Sequence, residues 1–194
     1  KEKQGLAHYL EHMLFLGTQK YPEVGSYKKY LDEHSGASNA YTAGNMTNYF
    51  FQVSHEGFDE SLDRFSDFFK APLFDKTYAE REVNAVNNEH EKNKLNDGWR
   101  GNYVAGRMSE PGHPLAKFGT GNQKTLSGDN QPALLEFYKK YYAAPNMKLS
   151  LISSMPMEVL STVAQKYFSD IPTRPVNIPQ LSSEFRKPLK GEYR

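Results

Sequence analysis

The stretch GLAHYLEHMLFLGT, residues 5–18, decides how the rest of the chain is read. Leu6, Leu10, Met13 and Leu14 recur at helical spacing, which predicts a helix over residues 4–16 that stops at Gly17. Such an apolar stripe normally disappears into a core, yet His8, Glu11 and His12 interrupt it. Polar groups set among apolar residues are costly unless partnered, so these three need an explanation. An α-helix advances about 100° per residue, so positions 8 and 12 project about 40° apart and one turn removed. Both imidazoles can therefore reach one ion. Glu11 lies beside that pair rather than between its members, where its carboxylate can take a proton from a metal-bound water instead of ligating. The order is H-x-x-E-H, the reverse of the commoner H-E-x-x-H.

The motif alone leaves coincidence open, because a chain of this composition matches it by chance about once in 70 cases. Two histidines also leave zinc short of the three protein ligands normal in catalytic sites. The segment EREVNAVNNEHEKN, residues 80–93, supplies carboxylates for the third. Glu82 and Glu89 are seven positions apart and share a helix face to within about 20°. The same face holds Ala79, Val83 and Val86. The competing reading is that Glu82, Glu89 and Glu91 pair on the helix surface with Arg81, Lys92 and Lys94. Spacing does not choose between these.

Outward from the motif, Tyr27, Tyr30, Leu31 and His34 predict a helix over 26–34 capped by Ser26, followed by a turn at SGAS, 35–38. Residues 39–53 are rich in Thr and aromatics and read as two strands broken near Ala43-Gly44-Asn45. Tyr49 and Phe50 are expected in the core of that sheet. Phe58, Leu62, Phe65 and Phe69 predict a helix over 57–70 closed by Pro72. Asp75 caps a long polar helix running to about Leu95 or beyond, and residues 111–132 read as loop. Pro132 begins another helix, Met147, Leu149 and Leu151 alternate as a strand, and residues 156–168 form a last helix. FGTGNQKTL, 118–126, lacks the phosphate-loop spacing and reads as a turn-rich loop. His34, His55, His90 and His113 show no ligand spacing to one another, and His90 points about 100° away from its neighbour Glu89.

The class is α+β, a two-layer sandwich with helices packed on a mixed, largely antiparallel sheet. Strands are few for so many amphipathic helices, which predicts that further N-terminal strands complete the sheet. The start, without Met and directly before a helix, reads as a point inside a longer polypeptide. Residues 1–171 are assigned to one domain, and the Pro-rich 172–194 to a linker towards a following one. A net charge of +1 with interspersed charges gives no reason to expect a nucleic-acid or membrane partner, and no apolar run is long enough to span a bilayer. Thirteen Tyr and 12 Phe, many beside Lys, fit half-wet helix edges better than a base-stacking surface. With no Cys, any metal site must use His, Asp and Glu.

GLAHYLEHMLFLGT together with EREVNAVNNEHEKN resembles the pitrilysin family of zinc metallopeptidases, the inverzincins, and especially its insulin-degrading-enzyme branch. KYPEVGSYKKYL, SGASNAYTAGNMTNYFFQV, HPLAKFGTGN and YKKYYAAPNMKLSLIS extend the similarity over essentially the whole chain. The resemblance implies one Zn2+ held by His8, His12 and Glu89, Glu11 as general base, and Glu82 as a supporting carboxylate behind a ligand. It implies peptide substrates paired as an added strand along SNAYT, with Asn39 and Ala40 on substrate backbone and Tyr41 in a side-chain contact. It also places Trp99 near a substrate cleft, where the residue alone would read as core. Further homologous domains of the parent chain are implied partners, and the periplasm of a Gram-negative bacterium is the implied location. Two readings stand beside a zinc endopeptidase: a non-catalytic scaffold or binding module of the same fold, and a structural metal site pinning two helices.

Overall fold

The computed structural model describes residues 3–109 and 113–178. Its elements in order are α1 (Leu6–Leu14), α2 (Ser26–Glu33), β1 (Ala37–Thr42), β2 (Thr47–Gln52), α3 (Phe58–Asp67), α4 (Lys76–Asn93), α5 (Asp97–Arg107), α6 (Gln131–Tyr141) and α7 (Met157–Phe168). Short 3₁₀ turns occupy Pro114–Ala116 and Ala144–Asn146. The fold is α+β, with helices packed on a small, open antiparallel sheet.

That sheet is a hairpin. β1 and β2 pair from Ala37–Gln52 to Thr42–Thr47, and the Ala43 N–H donates to the Met46 carbonyl to close the loop. Period-two alternation sorts its side chains. Tyr49 and Phe51 turn inward against the core, whereas Phe50 faces out and is not the core residue expected from its type. Residues 37 and 38, expected in a turn, already belong to β1; the reversal is carried instead by Ser35, at φ 53°, and Gly36.

α1 is the central helix, packed on α4, α6 and the hairpin. Tyr9, Leu10, Met13 and Leu14 are fully buried there with Phe74, Val86, Leu126 and Leu134. Beside them Phe15, Tyr27, Tyr49, Phe51, Phe65, Phe68 and Phe69 form a continuous aromatic cluster, mostly edge-on or tilted. Pairs of this kind contribute about 0.5–1.5 kcal/mol each beyond the area they bury. Among the described residues most of the aromatic side chains thus pack inside.

α4 begins where expected: the Asp75 carboxylate accepts from the Thr77 and Tyr78 N–H groups. Ser26 makes no cap hydrogen bond; Gly25, in the left-handed region, precedes α2 instead. α5 is a helix in its own right, capped by Asn96, whose side chain accepts from the Trp99 N–H. Three glycines within its span hide it from propensity reasoning. The strand expected at Met147–Leu151 is absent. This segment runs without helix or ladder, because among the described residues no strand lies alongside to pair with it. Met147 still packs on the core, while Leu149 and Ile152 are exposed.

Of the expected linker, residues 179–194 lie outside the described residues. Residues 172–174 touch the preceding segment: the Pro172 carbonyl accepts from the Ala144 N–H, and Arg174 donates to the Tyr142 carbonyl. No helix among the described residues is long and apolar enough to cross a membrane.

Candidate metal centre

Packing sets the site before any ligand does. The Tyr9 hydroxyl, fully buried, donates to the Ala79 carbonyl at 2.5 Å and so fixes how α4 lies across α1. Val86 is buried on the same side of α4. With that register, Glu82 and Glu89 come to face His12 and His8.

Three donor atoms then converge. His8 Nε2 and His12 Nε2 lie 3.2 Å apart; Glu89 Oε2 is 3.3 Å from the first and 3.6 Å from the second. Ligand atoms on a tetrahedral ion at about 2.0–2.1 Å stand about 3.3–3.4 Å from one another. The triangle therefore has the dimensions of three corners of such a shell. Among the described residues, His8, His12 and Glu89 are the group of His, Asp and Glu side chains so arranged.

The outer partners fix which nitrogens face the triangle. His8 Nδ1 lies 2.8 Å from the Thr120 carbonyl, which only accepts, so that nitrogen carries the proton. His12 Nδ1 lies 2.7 Å from Glu82 Oε1, which accepts its N–H in the same way. Both Nε2 atoms are left with their electron pairs aimed at one point, the arrangement found behind metal-bound imidazoles. Two such pairs at 3.2 Å repel each other unless a cation lies between them. The donor set fits zinc.

Without a metal, protons do that work. Burial opposes a charge on His12, but the hydrogen bonds to Glu82 and Glu89 outweigh it and push its pKa up to about 9. His8 shifts upward against the same burial through Glu89 and the Thr120 carbonyl. Hydrogen bonds from His12 and His8 hold the Glu89 carboxyl well below the usual carboxylate range. The sign follows. In the metal-free fold His12 contributes stability that is full below about pH 6.5 and is lost as pH rises through about 9. A zinc ion entering this triangle would compete with these protons, so uptake of the metal is expected to strengthen from pH 6 to 9 and to release about one proton or more at neutral pH. Calorimetry in buffers of different ionisation enthalpy measures that number; zero release would contradict the raised imidazole.

Glu11 is buried on α1 beside His12, and its Oε2 accepts from the Thr42 hydroxyl at 2.5 Å. The remaining residues singled out from the sequence are more scattered. Asn39 and Tyr41 lie on the exposed face of β1, and Asn39 Oδ1 accepts from the Ala40 N–H. Among the described residues β1 has β2 on one edge and no strand on the other. Trp99 sits in the first turn of α5 and is 49% exposed, so it is not the core residue its type suggested; α5 buries only Gly106. His90 turns away from the cluster and packs edge-on against Phe118.

Two participants escaped the sequence reading. Thr120 acts through its carbonyl, which any residue would supply. The signal lies in its neighbour Gly121, within the stretch that reads as a turn-rich loop. A Cβ on Gly5 would stand 2.2 Å from Gly121 Cα, so the loop touches the start of α1 backbone to backbone. Both glycines have φ near +85°, at 86° and 84°. Thr42 carries no signal of its own, since it closes a strand and resembles any other β-former.

Known proteins similar to this chain come from one family. The sequence model of Insulinase (Peptidase family M16) matches residues 1–112, and that of the Peptidase M16 inactive domain matches residues 130–194. The insulin-degrading enzyme of Homo sapiens is 44% identical over 183 residues, 91% of this chain and 18% of that protein. The putative zinc protease mug138 of Schizosaccharomyces pombe is 46% identical over 187 residues, 93% of this chain and 19% of that protein. The crystal structure of pitrilysin superposes with a TM-score of 0.91 at 39% identity, covering 95% of this chain and 20% of that one. The chain thus spans about a fifth of the length of the relatives it matches. Matched over more than half its length by the family model, and in fold by pitrilysin, the chain belongs to the insulinase family of peptidases, family M16, in its insulin-degrading-enzyme-like branch.

Proposed function

We propose that this chain carries the metal-bearing part of a zinc-dependent endopeptidase that hydrolyses peptide bonds with water as nucleophile and Glu11 as general base. The observation that carries this reading is the triangle of His8 Nε2, His12 Nε2 and Glu89 Oε2, with Glu11 on the same helix as both imidazoles. His8, His12 and Glu89 would hold one Zn2+. When bound, zinc lowers the pKa of a water towards about 7 and polarises a carbonyl oxygen. Glu11 takes the proton of the attacking water on its carboxylate and returns it to the leaving amine. Glu82 holds the His12 ring by Nδ1, and the Thr120 carbonyl does the same for His8. Three protein donors suit a catalytic zinc, since structural sites close with four. That count favours the peptidase over a metal that merely pins α1 to α4.

The substrate is proposed to be a peptide in extended form. The edge of β1 that carries no partner strand among the described residues suits an added strand, with Asn39 and Ala40 on its backbone and Tyr41 and Trp99 on its side chains. The length of the relatives supports a complete enzyme in which further homologous domains take part. The full-length polypeptide is expected to bind one zinc per site of this kind and to cleave unstructured peptides. Chelation should abolish cleavage and added zinc restore it. Cleavage that survives chelation, or a protein that takes up no zinc, would overturn the proposal.

A further inference from the structure

The Glu11 carboxylate is held from the sheet, not from its own helix. Thr42, the last residue of β1, donates its hydroxyl to Glu11 Oε2 at 2.5 Å and stands 3.2 Å from the hydroxyl of Thr47, its partner across the hairpin. A carboxylate only accepts, so the Thr42 proton is committed to Glu11, and Thr47 is the donor in the contact between the two threonines. Behind them the Tyr49 and Tyr142 hydroxyls share a 2.7 Å hydrogen bond. Burial raises the pKa of both phenols and the nearby Glu11 charge adds to it, so they stay neutral in its neighbourhood. Alternation along β1 turns Ser38, Ala40 and Thr42 inward, and Asn39 and Tyr41 outward.

A carboxylate that accepts a proton must present one oxygen in a fixed direction, and catalysis by a positioned base depends on that geometry. A hydroxyl holding Oε2 sets the plane of the group and assigns Oε1 to the proton. We propose that Thr42 is a positioning residue for Glu11, and that it ties the base to the strand along which the peptide docks. This rests on the peptidase reading above. On that reading a single strand does two things: its outer residues meet the substrate, and its last inward residue aims the base.

The experiment compares wild type, Thr42→Val and Thr42→Ser in the full-length polypeptide. It measures kcat and KM on one peptide, zinc affinity by chelator competition, and the Glu11 conformation by crystallography. Val keeps the shape and removes the hydroxyl; Ser keeps the hydroxyl. Thr42→Val is expected to lower kcat by about 10–100-fold, with KM and zinc affinity changed by less than about twofold, and to turn the Glu11 carboxylate out of its wild-type orientation. Thr42→Ser is expected to recover kcat to within about threefold of wild type. Wild-type kcat in Thr42→Val would overturn the proposal. So would a Ser variant as slow as the Val variant, or zinc affinity that falls in step with kcat, since each marks a merely structural role. A wild-type protein that binds no zinc or cleaves nothing overturns the peptidase reading itself, and shows before any variant is compared.

Discussion

Glu11→Gln is expected to bind zinc as the wild type does and to lose about 10²–10⁴-fold in kcat. The substitution is nearly isosteric, and its amide oxygen can still accept from the Thr42 hydroxyl, so the buried corner between α1 and the hairpin keeps its packing. The amide cannot take a proton. If Glu11 is the base, chemistry fails while the donor triangle of His8, His12 and Glu89 is untouched. Metal analysis and turnover measured on one preparation separate the two effects. Turnover at the wild-type rate would move the base to another residue.

Glu89→Ala should do the reverse and remove the metal. It deletes one of three donors, so zinc affinity should fall by well over the roughly 10–100-fold typical of losing an outer partner. Glu82→Ala, which strips only the Nδ1 partner of His12, should fall within that smaller range. The ordering is the test, and equal losses would mean that Glu89 is no ligand. The Glu89 side chain is 38% exposed, so the metal-free fold is expected to survive its removal. A second signature accompanies it. Glu89 helps to keep both imidazoles charged, so without it the pKa values of His8 and His12 should drop, readable by NMR titration of the metal-free protein.

Much of the fold was legible because it rests on periodicity. The stripe of α1, the Asp75 cap of α4 and the break at Ala43-Gly44-Asn45 are local signals, and each marks what it should. What failed depended on neighbours. Alternation at Met147–Leu151 announces an extended chain but cannot say whether a strand lies beside it. Residue type placed Phe50 and Trp99 inside; the pleat and the bare surface of α5 put them outside. At the site, side chains that must reach inward from apolar helices betray themselves by polarity. The groups that steady them do not: the Thr120 carbonyl has no residue-specific signature, and Thr42 is an ordinary strand former.

The crossing of Gly5 and Gly121 has a mechanical consequence. Side chains between packed segments act as bearings, since they can change rotamer and let one segment slide over the other. Here no side chain intervenes, and two backbones touch directly. The joint is therefore stiff. The loop cannot ride up without lifting the first turn of α1, and one residue from the joint the Thr120 carbonyl grips His8. Amide hydrogen exchange along residues 118–122 and along the first turn of α1 should accordingly rise and fall together, as one hinge plate rather than as a loop and a helix.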